Sequence, residues 1–215
     1  MAAVARSVDT RRRLLEAALE VFAGEGYRKA TIQQICSRAG ANIAAANYHF
    51  GGKAALYAAV FAHASRRAGE SPAPELPPGA TPEERLRIHV TSFLTRLLDP
   101  ERPAWMAQLI AREMIEPTPE LDRLVRRRMR ANHAQISAAI RDLLGPATSP
   151  DTVRLCTLSV IAQCVFYRNS APVISRLYPD LVPSREVERI ANHVTRFSVA
   201  AVQALAAAAN GDSEQ

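Results

Sequence analysis

The sequence predicts an all-α protein of two domains. Ala, Leu and Arg dominate the composition and runs of β-branched residues are absent, which favours helices over strands. Apolar residues make up 48% of the 215 positions, enough for a sizeable core. A stretch rich in proline and glycine interrupts the helical pattern. We expect about nine helices, divided into an N-terminal three-helix domain (1–66), a Pro-rich connection (67–82) and a larger C-terminal helical domain (83–215).

The first predicted helix begins at Asp9 or Thr10, after a mobile tail, and ends at Gly24 and Gly26. Its apolar residues recur three or four positions apart, so they form one wide stripe for a core. The stripe consists of Leu14, Leu15, Ala18, Leu19 and Phe22.

Two short helices joined by a tight turn are predicted for residues 31–53. Thr31 is a good N-cap, and Gln34 three residues later completes a capping box. Gly40 can end the first helix in the left-handed conformation, and Asn42 can cap the second only two residues on. This pattern is typical of a helix-turn-helix.

The second of these helices, about 43–49, has an unusual surface. It carries three small alanines and then three side chains with hydrogen-bonding tips, Asn47, Tyr48 and His49. Small side chains let a backbone approach another surface closely, and polar tips can bond to base edges. The combination suits a helix that lies in a DNA major groove.

The charge distribution is compatible with a polyanionic partner for this region. The net charge is +6 and the pI is about 9.7. Residues 1–60 hold eight Lys/Arg and four Asp/Glu, so most of the excess charge lies around the predicted helix-turn-helix.

The sequence contains few features of an enzyme or a metalloprotein. It contains no Gly-rich phosphate loop, HExxH motif or nucleophile elbow, and its histidines are scattered, so we expect no enzyme, cofactor or metal site.

Cys36, Cys156 and Cys164 lack CxxC spacing and are expected to be buried in a reduced compartment. Without a signal peptide or an apolar run of about 20 residues, the protein is expected to be cytoplasmic and not to span a membrane.

Capping and helix-breaking residues mark the remaining helices. Lys53 opens a helix that runs to about Arg67. Thr81, Pro82 and Glu84 start the next with a capping box. Further helices are expected at 104–115, 119–144, 150–169 and 172–178, and a last one after Ser184.

Two late helices are too apolar for the surface of a monomer. Apolar residues occur on nearly every face of 153–166 and on much of the last helix, so both must be enclosed. A second copy of the chain can enclose them in a C2 four-helix interface, and an ordinary buried core is the alternative. The candidate interface residues are Val160, Val194, Phe197, Ala201 and Leu205.

The run from Leu14 to Phe61 closely resembles the DNA-binding domain of TetR-family repressors. The shared features are helix caps, a turn glycine, an aromatic pair and the lysine after it. They are carried by Ala17-Ala18, Phe22, Gly26-Tyr27, Thr31, Ile32, Ile35, Ala39-Gly40, Tyr48-His49-Phe50 and Lys53-Ala54-Ala55-Leu56-Tyr57.

The second part of the chain resembles the ligand-binding domain of the CecR-type branch of that family, over residues 97–122 and 154–179. The commoner family pattern has a serine at position 42, a basic residue at 43 and Gly-Thr-Leu-Tyr across 44–47. This chain has NIAAAN at positions 42–47, a form typical of the CecR-type branch. The resemblance implies a homodimeric transcriptional repressor that leaves a palindromic operator when a small molecule binds.

The predicted DNA contacts lie in and beside the helix-turn-helix. Helix starts and basic side chains suit phosphates, and Asn47 is the best candidate to read a base because an amide pairs with adenine at two points. The predicted contacts are Arg28, Lys29, Thr31, Arg38, Asn42, Ala44, Ala45, Asn47, Tyr48, His49 and Lys53.

A small-molecule pocket is expected in the second domain. Arg112 and Glu113 are flanked by apolar residues. They form either an internal ion pair or the charged groups that anchor a ligand in a pocket. Apolar walls with a few converging polar groups are typical of ligand sites and also of helix cores. The candidate lining residues are Trp105, Gln108, Arg112, Glu113, Gln163 and Tyr167.

Two other functions are compatible with the sequence. The chain could be a repressor of the same fold that is controlled by a protein partner. It could also be a helical small-molecule-binding protein or enzyme whose basic N-terminus is incidental. Sequence-selective, salt-dependent DNA binding would exclude the second alternative.

Overall fold

The computed structural model of the protein describes residues 2–67, 74–101 and 103–211. The regular elements in these ranges are all helices, joined by turns and loops, and no strand is present, which confirms the predicted fold class. They form eleven α-helices: α1 (Ala2–Lys29), α2 (Ile32–Ala39), α3 (Ile43–Phe50), α4 (Lys53–Arg67), α5 (Pro82–Leu98), α6 (Ala104–Ile115), α7 (Pro119–Leu124), α8 (Arg130–Leu144), α9 (Pro150–Asn169), α10 (Ala171–Leu177) and α11 (Val187–Gly211). Part of the predicted Pro-rich connection, residues 68–73, lies outside the described ranges.

The helices group into two compact units. Unit 1 comprises Met1–Glu70 and Glu101–Leu124, and unit 2 comprises Ser71–Pro100 and Val125–Gln215. The sequence prediction placed residues 101–124 with the C-terminal domain, whereas the structure groups them with the N-terminal helices. The physical reason is burial, because Leu109 of α6 is 1% exposed within the core of unit 1.

The core of unit 1 is built on the apolar stripe of α1. Leu14 and Phe22 are fully buried, together with Ile35 of α2 and Leu56 of α4. The ring of Tyr57 packs edge-on against Phe22, with ring centroids 4.7 Å apart. One core therefore holds the two short helices against the first and fourth.

Helix α1 is longer than predicted at both ends. The expected mobile tail is helical from Ala2. Within the predicted part of the helix, Asp9 pairs with Arg12 at 2.8 Å. Gly24 remains helical. The break falls at Gly26, where φ is 81° and ψ is 169°, and a last short turn follows it.

Helices α5, α8, α9 and α11 enclose the core of unit 2. The predicted capping box at Thr81 and Glu84 is present at the start of α5. A π-helical turn, Val125–Met129, divides the helix that was predicted to run from 119 to 144. A 3-10 turn, Pro183–Arg185, contains the predicted cap Ser184, so α11 begins slightly later than expected.

The three cysteines are buried and unpaired, as predicted. Burial raises the pKa of the Cys164 thiol to about 12. Within the described ranges, no helix combines the length and the apolar character that crossing a bilayer requires.

Candidate DNA interface

The start of α2 is fixed by its predicted capping box. The Thr31 hydroxyl oxygen accepts a hydrogen bond from the backbone N–H of Gln34 at 3.1 Å. The Gln34 side-chain oxygen accepts one from the Thr31 backbone N–H at 2.8 Å. Since the Thr31 side chain is engaged inside the box, the groups left for a ligand at this helix start are the remaining backbone N–H groups.

A glycine in the left-handed conformation makes the turn after α2. Gly40 has φ 59° and ψ 41°, and the next residue, Ala41, donates its backbone N–H to the Cys36 carbonyl at 2.9 Å. Arg13 of α1 donates to the neighbouring Ala39 carbonyl, also at 2.9 Å. The long first helix therefore fixes the turn that sets the angle between α2 and α3.

The cap of α3 is also as predicted. The side-chain oxygen of Asn42 accepts the backbone N–H of Ala45 at 2.8 Å. Gly51 ends the helix with φ 78° and donates its N–H to the Asn47 carbonyl. The side-chain oxygen of Asn42 is thus engaged in the cap of α3.

One side of α3 faces outward. Ile43, Ala44, Asn47 and Tyr48 are exposed, and at 100° per residue they cover an arc of about 140°. Ala46 on the opposite side is 1% exposed and belongs to the core of unit 1. The arc is the surface that a DNA groove would meet, and we call it the exposed arc of α3.

Two predicted contacts of α3 lie outside this arc, about 60° and about 100° beyond its Tyr48 edge. Ala45 and His49 are half-buried, and the His49 ring lies 5.1 Å from the ring of Tyr48. Tyr48 itself is 83% exposed. The structure therefore brings Ala44, Asn47 and Tyr48 together at the centre of the candidate interface.

The predicted phosphate-binding cations surround the helix-turn-helix. Lys53 begins α4 and donates from Nζ to the Arg28 carbonyl at 3.2 Å, with the ammonium 4.7 Å from the centre of the Tyr27 ring. Arg28 and Lys29 are exposed at the end of α1. Arg38 of α2 is exposed and pairs with Glu20 at 2.8 Å.

Ile43 lies on the exposed arc of α3 although it was not among the predicted contacts. Its side chain is 49% exposed at the first position of α3. The signal was present in the sequence, because Ile43 stands one helical turn before Asn47 and so shares its face.

Arg112 and Glu113, which were expected to form an ion pair or to anchor a pocket, contact different partners in unit 1. Arg112 donates to the Gly24 carbonyl near the end of α1. Glu113 is fully buried and accepts from the Tyr57 hydroxyl at 2.7 Å and from the Thr118 backbone N–H at 2.9 Å. Both side chains of α6 therefore bond to other segments of the same unit.

The other predicted pocket residues are divided between the two units. Trp105 packs against the core of unit 1 and Gln108 is exposed on α6. Gln163 and Tyr167 belong to unit 2, where the Gln163 amide donates to the Ser198 hydroxyl at 3.1 Å. A groove of about 450 Å³ in unit 2 has a different lining: His133, Ser137, Arg141, Gly145, Pro146, Thr148, Pro150, Val153 and Arg154.

The candidate dimer residues separate into two groups. Val160 and Val194 are each 1% exposed in the core of unit 2, so a partner cannot reach them, and these two assignments are corrected. Phe197, Ala201 and Leu205 are exposed along one face of α11. Three further apolar side chains are exposed on α9: Leu155, Leu158 and Phe166.

Two capped helices with a glycine turn and an outward-facing second helix define a helix-turn-helix DNA-binding regulator. Residues 14–60 match the family described as bacterial regulatory proteins, tetR family. Residues 82–202 match the C-terminal domain of the HTH-type transcriptional dual regulator CecR. The chain belongs to the TetR family of transcriptional regulators, in the branch with a CecR-type C-terminal domain.

Similar proteins are regulators of the same kind. The HTH-type transcriptional regulator BetI of Brucella anthropi is 30% identical over 124 residues, which cover 57% of this chain and 64% of BetI. The regulator SrpR of Pseudomonas putida is 43% identical over 58 residues, or 27% of each chain. This chain thus spans less than two thirds of the length of these relatives.

The fold also matches solved structures. HlyIIR, a hemolysin II transcriptional regulator, superposes with a TM-score of 0.54 and 24% identity, over 88% of this chain and 98% of HlyIIR. An HlyIIR mutant with a replaced segment gives a TM-score of 0.56. At this level of identity, the comparison supports the fold alone.

Proposed function

We propose that two copies of this chain bind a palindromic operator as a repressor, and that a small molecule bound by the C-terminal domain releases them. The observation that carries the proposal is the exposed arc of α3, which is held outward by two helix caps and the Gly40 turn. A short helix presented in this way fits the major groove.

The bases are read from the exposed arc. Asn47 is exposed at its centre, and its amide matches the N6 and N7 atoms of adenine. Ala44 brings the α3 backbone close to the groove floor. Tyr48 and His49 stand at the end of the helix, where they contact either a base edge or the adjoining phosphate.

The phosphates are held by groups around α3. Lys53 provides a cation that Tyr27 and the Arg28 carbonyl already orient. Arg28, Lys29 and Arg38 add positive charge, and Arg38 would exchange its exposed pairing with Glu20 for a phosphate. The backbone N–H groups that follow Thr31 and Asn42 complete the set.

The dimer is supported by the exposed apolar faces of α9 and α11. Leu158 is 49% exposed, Phe166 56% and Phe197 61%. Ala201 and Leu205 continue the face of α11 one and two turns after Phe197. A second copy related by a twofold axis buries both faces at once.

Release of the operator is supported by the contacts that α6 makes within unit 1. Glu113 bonds to Tyr57 on α4, and Arg112 bonds to the Gly24 carbonyl near the end of α1. A ligand that displaces α6 would therefore move α4, whose first residue is Lys53, and would change the distance between the α3 helices of the two copies. Half-sites lie about 34–36 Å apart, or at multiples of that distance, so a change in spacing weakens operator binding.

Selection of bound DNA from a random pool tests the DNA-binding and dimer parts together. The expected product is a palindrome, and sedimentation should show a dimer on it. Phe197→Glu is expected to give monomers with weak operator binding, while Leu76→Glu, at an exposed leucine outside α9 and α11, should leave the dimer intact. An unsymmetrical site bound by a monomer would overturn this part.

Ligand release is tested separately. Compounds that raise the melting temperature of the free protein are added to the protein–operator complex, and the operator affinity is measured. We expect at least one stabilising compound to lower the affinity. If free and ligand-bound dimers bind the operator equally, ligand release is wrong.

A further inference from the structure

The exposed arc of α3 has a chemical composition that restricts which bases it can read. Its four members are Ile43, Ala44, Asn47 and Tyr48, and none of them is Lys, Arg, Asp or Glu. Ile43 is 49% exposed and Tyr48 is 83% exposed, so these side chains project outward from the core. A large aliphatic side chain in that position needs an apolar partner when the helix enters a groove.

The major groove offers a distinct pattern for each base. Guanine is read mainly by Arg or Lys, and the amino group of cytosine is read by Asp or Glu. Adenine is read by Asn or Gln, and the C5-methyl group of thymine is read by apolar side chains. The exposed arc has the groups for adenine and thymine and lacks the charged groups that read guanine and cytosine.

We propose that α3 reads A·T base pairs, with Ile43 packed on the C5-methyl group of a thymine beside the adenine that Asn47 recognises. This inference rests on the proposed operator binding and names the chemistry of the half-site. It adds Ile43 as a specificity-determining residue, in a position where the commoner family pattern has a basic side chain.

The spacing of the two side chains sets the distance between the two bases. Ile43 and Asn47 lie four residues apart, which is about 6 Å along the helix and about 40° around it. Successive base pairs are about 3.4 Å apart along the duplex. The thymine therefore lies within about two base pairs of the adenine in each half-site.

The experiment replaces thymine with uracil, which removes the methyl group and leaves the base pairing unchanged. The full-length protein first selects its site from a random pool. Each thymine of that site is then changed to deoxyuridine, one position at a time and symmetrically in both half-sites, and Kd is measured. At one position close to the Asn47 adenine, we expect affinity to fall about fourfold for each methyl group removed, as for one buried methylene.

Two variants assign the effect to the side chain. Ile43→Ala should bind more weakly than the wild type and should no longer respond to uracil at that position. Ile43→Val, which keeps a branched aliphatic side chain, should still respond. Met114→Ala is the matched control, because Met114 is a 52% exposed apolar residue of the same unit that lies outside α3.

The possible results are separable. A half-site without an A·T pair at its centre, or wild-type affinity that uracil does not change at any position, overturns this inference and leaves operator binding standing. An undiminished response to uracil in Ile43→Ala also overturns the role of Ile43. If the full-length protein selects no DNA, the proposed function fails and this inference fails with it.

Discussion

The hydroxyl group of Tyr57 donates a hydrogen bond of 2.7 Å to the carboxylate of Glu113, across 56 positions of sequence. Tyr57 is 2% exposed and Glu113 is not exposed at all. Burial is the largest cause that raises the pKa of Tyr57 well above its usual range, and the hydrogen bond to Glu113 is the second. The phenol therefore remains protonated and acts as a donor. The pair joins α4, which carries Lys53, to α6.

Tyr57→Phe should destabilise the protein, because it removes one donor from a buried carboxylate. The expected loss is about 1.5–3 kcal/mol of the free energy of unfolding, as for a hydrogen bond to a charged group. Urea denaturation followed by circular dichroism measures it. Tyr48→Phe is the control, since Tyr48 is 83% exposed and its hydroxyl should change stability by less than about 0.5 kcal/mol. Equal stability of the two variants would show that the buried bond contributes nothing.

His89 should make unit 2 less stable at acidic pH. It is 5% exposed on α5, and burial, with Arg85 and Arg96 nearby, lowers its pKa. Its Nδ1 has no hydrogen-bond partner within the described residues. Because the unfolded chain binds this proton more readily, the stability from neutral His89 is complete above about pH 6.5 and is lost as the pH falls below it.

The measurement compares unfolding free energies at pH 7 and pH 5 in the wild type, His89→Leu and His133→Leu. His89→Leu should flatten the dependence on pH, by at most about 1.4 kcal/mol per pH unit for one proton. His133 is half-buried at the groove of unit 2, outside the proposed dimer faces of α9 and α11, so His133→Leu should retain the wild-type slope. Identical slopes in all three proteins would contradict a neutral, buried His89.

Lys53→Ala should weaken binding to all DNA sequences alike. A cation that neutralises a phosphate releases counterions, so its removal should lower the slope of log K against log salt by about 0.9 for each phosphate that is no longer neutralised. Titration of DNA at several salt concentrations gives this slope. Arg154→Ala removes an exposed cation of unit 2 and should leave the slope unchanged. An unaltered slope for Lys53→Ala would mean that its ammonium serves only the Tyr27 ring and the Arg28 carbonyl.

Asn47→Ala should act on specificity instead. The loss of a two-point contact with adenine should cost about 1–3 kcal/mol on the operator and little on random DNA. Competition between labelled operator and unlabelled random duplex measures both affinities. Asn192→Ala, at an exposed asparagine of α11, is the control. A similar loss on both DNAs would place Asn47 at the backbone.

The local features of the fold were predictable because local residues determine them. The caps at Thr31, Asn42 and Thr81 each bond to a residue three positions later, so a sequence pattern contains the whole interaction. The bounds of α6 and α9 follow in the same way from the prolines and caps beside them. The exposed arc of α3 needed only the helical repeat.

Contacts between distant segments were not predictable in this way. The sequence suggested that Arg112 and Glu113 were an ion pair or a pocket anchor, because they are adjacent and surrounded by apolar residues. Their actual partners, Gly24 and Tyr57, lie 88 and 56 positions away, and only the packed helices bring them together. Val160 and Val194 were assigned to a dimer interface for a similar reason. The sequence pattern of an apolar residue is the same whether the residue lies in a core or at an interface.

The membership of α6 in unit 1 bears on the engineering of hybrid regulators, in which the DNA-binding part of one protein is joined to the sensor of another. A junction after residue 66 would separate Leu109 from its core and Tyr57 from its carboxylate acceptor. A graft from this chain should therefore carry residues 104–124 along with the first four helices. If the sensor protein supplies the sixth helix instead, that helix would need a buried hydrogen-bond acceptor for the Tyr57 hydroxyl at the position of Glu113.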